Sequence, residues 1–60
     1  MKFEYIDVTK TQFLDGKYVH SVVFSCESPS LSEADMLFEA KFGKNPGKMK
    51  EISVILYKNP

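Results

Sequence analysis

Arginine is absent from this 60-residue chain, whose eight basic residues are all lysine. Arg is the side chain best suited to bidentate contacts with phosphate and guanine, so its absence counts against a sequence-specific DNA reader. Cysteine occurs once, at Cys26, and histidine once, at His20. A lone Cys forms no intrachain disulfide and has no companion for a metal site. It reads as a small core residue of a strand, in a reducing cytoplasm. Long apolar runs are also missing. Glu4 and Asp7 interrupt the stretch Met1-Lys2-Phe3-Glu4-Tyr5-Ile6-Asp7, so it is not read as a signal peptide, and no segment has the length of a bilayer span. No glycine-rich phosphate loop follows a strand, and there is no zinc spacing, nucleophile elbow, internal repeat or low-complexity tract.

Eight acidic residues balance the lysines, and formal neutrality gives no global attraction to nucleic acid or anionic lipid. With 43% apolar and 27% charged residues the chain is globular, and its length predicts one domain over residues 1–60. Such a chain hides only about 60% of its unfolded surface. Apolar burial of about 90 kcal/mol then stands against ordering entropy of about 90 kcal/mol, so a second subunit or a bound partner would matter to stability.

Residues 2–14 mix β-branched and aromatic residues with polar ones, and Asp15-Gly16 supplies the positive-φ pair of a two-residue type I′ hairpin. A tight turn sets Leu14 opposite Lys17, Val8 opposite Val23 and Tyr5 opposite Cys26. One face then holds Phe3, Tyr5, Phe13, Tyr18, Val22, Phe24 and Cys26, with Asp7 and His20. The other holds Ile6, Val8, Leu14, Val19 and Val23, broken by Lys10, Gln12, Ser21 and Ser25. A bulge near Thr9-Lys10-Thr11 would exchange part of one face for the other.

Pro29 ends the second strand, and Ser30 with Glu33 forms a capping box, Ser32 with Asp35 a second one, for a helix that stops at Gly43. Leu31, Ala34, Leu37, Phe38 and Phe42 make its apolar stripe. After the connector Lys44-Asn45-Pro46-Gly47-Lys48, the third strand from Glu51 to Tyr57 carries apolar residues on both faces, which predicts that it is internal or capped. The fold class is α+β in the order β-β-α-β. The third strand pairs beside the first in a three-stranded antiparallel sheet, with the helix on one face.

That architecture leaves one sheet face without a cover, and the aromatic face is the one expected beneath the helix. Ile6, Val8, Val19 and Val23 are then the candidate protein interface, for a protein partner or a homodimer, with the outer edge of the second strand as another route. The alternative is a small nucleic-acid-binding module. Lys41, Lys44, Lys48 and Lys50 fall within ten residues with no acid between them and could meet phosphates without reading sequence. Lys41 also suits the negative end of the helix dipole, and a connector is solvated in any case.

An enzyme is the third choice. His20 and Cys26 share a strand face but lie about 20 Å apart at ~3.3 Å per residue, too far for a nucleophile and base. Asp35 and Glu39, one turn apart, read as solvated acids near the positive helix end. No catalytic, cofactor-binding or metal residue is assigned, and no cofactor, membrane or small-molecule substrate is expected.

Ala34-Asp35, Phe38, Gly43, Asn45-Pro46 and Ile52-Ser53-Val54 resemble the helix, turn and strand of small accessory proteins encoded by temperate bacteriophages. The resemblance covers the C-terminal half. It implies a compact α+β protein that adjusts host or phage machinery by binding, without a cofactor, and brings no functional residues with it.

Overall fold

Asp15 and Gly16 take φ of 52° and 75°, the pair of left-handed residues that lets two strands reverse without splaying. The hairpin they close joins β1 (Lys2–Leu14) to β2 (Lys17–Glu27). The computed structural model describes residues 1–58. A helix, α1 (Leu31–Phe42), follows, then a 3-10 turn at Pro46–Lys48 and β3 (Ile52–Tyr57). The sheet is antiparallel in the order β2-β1-β3, so β1 is central and β3 lies at an edge.

Near the turn the register is the expected one, with Leu14 opposite Lys17. Further along it changes twice. Four residues of β1, 8–11, stand against His20 alone, and beyond them Asp7 pairs with Ser21 and Ile6 with Val22. Asp7 Oδ1 accepts from the Thr9 hydroxyl at 2.6 Å and the Thr9 N–H at 3.0 Å. These local bonds compete with the ladder and hold the extra residues out of it. Val23 is then the odd residue of β2, because Tyr5 pairs with Phe24 and Phe3 with Cys26. The predicted pair Tyr5–Cys26 is therefore corrected by two positions to Tyr5–Phe24, and the predicted pair Val8–Val23 does not form, since both residues fall in the irregular stretches. Val22 moves to the face of Ile6, whereas Val23 packs against the cluster beneath the helix.

Ser30 caps α1 by accepting from the Glu33 N–H at 3.3 Å, and Gly43, at φ 76°, closes it by donating to the Glu39 carbonyl at 2.7 Å. The helix buries two residues, Ala34 and Phe38, against Phe3 and Tyr5. Phe38 stacks at 4.9 Å on Tyr5 and meets Phe24 edge-on at 5.8 Å. Of the five-residue stripe expected from spacing, Leu31, Leu37 and Phe42 stay partly exposed. The helix inserts a narrower face than its apolar arc allows, lying toward β1 and β2 and away from β3.

So small a core concentrates stability in few side chains. Replacing Phe38 by Ala should cost about 3–5 kcal/mol in urea denaturation, the range for truncating a buried aromatic residue. Leu37→Ala, on the exposed side, should stay within about 0.5 kcal/mol. Similar costs for the two would show that α1 is rotated from this placement.

Candidate interaction surface

The strand facing β3 decides which of its atoms are free. Val8 N–H donates to the Glu51 carbonyl at 2.9 Å, and the same register continues through Ile6–Ser53, Glu4–Ile55 and Lys2–Tyr57. Antiparallel alternation then turns the backbone groups of Ser53, Ile55 and Tyr57 toward β1, and those of Val54 and Leu56 outward. Ile52 also points its N–H away from β1, to the Met49 carbonyl at 3.1 Å. Among the described residues no strand pairs with this outer edge.

Val54 and Leu56 stand opposite Tyr5 and Phe3, so their side chains share the helix side of the sheet. The helix does not cover them, and they remain 36% and 44% exposed. Between α1 and β3 runs a groove of about 290 Å³ lined by Tyr5, Leu31, Asp35, Pro46, Ile52 and Val54 among others. Its polar feature is the Tyr5 hydroxyl, which donates to Asp35 Oδ1 at 2.6 Å. Burial first, and then this bond to a carboxylate, hold the Tyr5 phenol far above its ordinary pKa. Asn45 shapes the far end, accepting from the Gly47 N–H at 2.8 Å.

On the opposite face Ile6 is buried, with Val22 and Ile55 near it in register and Lys2, Glu4, Ser25 and Ser53 around them. Glu4 lies 4.0 Å from the Lys2 ammonium, and the Glu4 carboxylate facing the Tyr57 hydroxyl raises the Tyr57 pKa. This face is an apolar spot inside a polar frame. The four residues expected to form one interface are not gathered there. Ile6 is buried, Val23 sits under the helix side, and Val8 and Val19, each nearly half exposed, belong to the projecting part of the hairpin. That projection also displays Phe13 and Tyr18, whose rings stack at 5.0 Å, and a depression of about 550 Å³ beside the bulge.

The four connector lysines are likewise dispersed. Lys41 lies 5.6 Å above both the Phe24 and Phe42 rings. Lys44 and Lys48 line a depression together with Glu39 and Glu51, and Lys50 is exposed. Acids from neighbouring elements interleave with the basic run. His20 Nδ1 lies 3.5 Å from the Thr11 hydroxyl, and Cys26 Sγ 3.9 Å from the Ser28 hydroxyl. Among the described residues, no three His, Cys, Asp or Glu side chains are placed to hold a metal ion, and no helix is long and apolar enough to cross a membrane.

The free edge of β3 escaped the sequence reading, although its signal was present. Ile52–Tyr57 has no charged residue and apolar side chains on both faces, which predicted a covered strand. No family model, curated protein or solved structure matches the chain.

The bulge beside this surface has a pH signature. The Thr9 hydroxyl first, then the Thr9 N–H and the Lys10 ammonium, lower the Asp7 pKa, with partial burial opposing them. A lowered folded pKa stabilises the fold above the unfolded carboxyl value of about 3.9, and that contribution is lost as pH falls through the folded value. Carboxylate NMR should show Asp7 titrating below the ordinary range, and Thr9→Val should return it toward that range. An Asp7 titration indifferent to Thr9→Val would contradict the geometry.

Proposed function

We propose that this protein is a non-enzymatic interaction protein that accepts an extended segment, from a protein partner or from a second copy of itself, as an added strand along β3. The observation that carries the reading is an edge with outward N–H and C=O groups at Val54 and Leu56, no charge along the strand, and an apolar groove beside it. Strand addition needs both parts. The backbone supplies affinity, and alternate side chains entering the groove supply selectivity.

The other sheet edge is a poorer acceptor. β2 carries the Val23 bulge in mid-strand and is bounded by Lys17 and Glu27, devices that discourage edge pairing. The nucleic-acid alternative draws no support from the lysines, which share their surface with Glu39 and Glu51. The setting that accompanies the reading is a reducing cytoplasm, supported by the single free Cys26. An accessory role of phage type is supported by the resemblance of residues 34–54.

A displayed library of random ten-residue peptides tests the reading without a known partner. Selected binders should alternate apolar, β-branched residues. Leu56→Lys should weaken them at least about tenfold, equivalent to about 1.4 kcal/mol, whereas Val19→Glu should leave them unchanged. Binders lost with Val19→Glu and indifferent to Leu56→Lys would move the site to the hairpin.

A further inference from the structure

We infer that the segment accepted by β3 is β3 of a second copy, paired antiparallel about a two-fold axis through Ile55. The inference rests on the strand-acceptor reading above and names its occupant.

The edge is complementary to itself. With Ile55 opposite its own copy, Val54 faces Leu56 of the second chain and Leu56 faces Val54. Val54 and Leu56 are the residues whose backbone groups point outward, so each of their N–H groups meets a carbonyl of the other strand. The neighbouring registers match less well. A pair centred on Val54 sets Leu56 against Ile52, whose N–H is already given to Met49. A pair centred on Leu56 sets Val54 against Lys58, outside the strand.

Side chains agree with the same register. Val54 and Leu56 meet on the helix side and the two Ile55 residues on the other, with no charge brought opposite a like charge. The whole chain is formally neutral, so two copies approach without net repulsion. Such a pair is isologous and closed. Each copy contributes the same strand, the result is a six-stranded sheet, and the edges left outside are the bulged β2 strands. Closure distinguishes this occupant from open-ended stacking.

Size sets the strength. A six-residue strand and the groove beside it fall at the small end of specific interfaces, below about 1,200 Å² in total, where association is weak. Pairing in the weak range, with a dissociation constant between about 10 µM and 1 mM, is the expectation.

Two measurements test the pair. Sedimentation of the unaltered chain should show a monomer at a few µM giving way to a dimer, and no larger species, as the concentration rises to about 1 mM. In a Cys26→Ala background, Ile55→Cys should form a cross-chain disulfide on mild oxidation, because facing residues at such a position have Cα atoms about 4.5 Å apart. Val54→Cys and Leu56→Cys should link at least about tenfold more slowly, since like residues there lie roughly 8 Å apart, beyond the ~7 Å limit. Faster linking at Val54→Cys or Leu56→Cys overturns the Ile55 axis. A monomer throughout overturns self-pairing whether or not the cysteine variants fold. That result leaves the acceptor reading to the peptide selection, which Leu56→Lys decides separately.

Discussion

The stacking of Phe38 on Tyr5, with the Tyr5 hydroxyl donating to Asp35 in the same helix, fixes where α1 rests on the sheet. Tyr5 lies on the central strand and is fully buried, so a helix anchored to it and to Phe24 lies over β1 and β2. Phe24 meets Phe38 edge-on from β2 and extends the aromatic cluster away from β3. A single helix of twelve residues packed in this way has nothing left to cover Val54 and Leu56. The open groove and the free strand edge follow from that one placement.

Much of this was legible in the sequence because the signals were local. Asp15-Gly16 marks the turn, Ser30 and Gly43 mark the helix ends, and the element order permits β3 to lie beside β1. Strand register was not legible, because alternation assumes an unbroken ladder. The Asp7 carboxylate breaks it by bonding to Thr9, and Val23 breaks it again on the other strand. The two irregularities together shift the partners of Phe3 and Tyr5 but keep both residues on one face with Phe24 and Cys26, and they exchange the roles of Val22 and Val23. Spacing also overstated the buried arc of the helix. Ala34 and Phe38 suffice to seat it, and the sheet offers no surface for Leu37.

The two sheet edges are treated differently. Along β2 the ladder is bulged and the strand itself ends in Lys17 and Glu27, whereas β3 is short and regular, with its charges, Glu51 and Lys58, just outside the strand. A strand with that composition is normally sealed inside a sheet, because its open amides and apolar side chains favour pairing. In a chain whose buried cluster beneath the helix is as small as Phe3, Tyr5, Ala34 and Phe38, a partner strand also adds burial that the fold lacks alone. Binding and stability are then linked, and occupancy of the edge stabilises the folded chain.

Amide hydrogen exchange read residue by residue on β3 tests the central claim most directly. In dilute solution the Val54 and Leu56 amides should exchange fast while Ser53 and Ile55, bonded to β1, stay protected. As the chain is concentrated, Val54 and Leu56 should gain protection together. Equal protection of all four amides in dilute solution, or fast exchange at Ser53 and Ile55 instead, would contradict a free outer edge on β3.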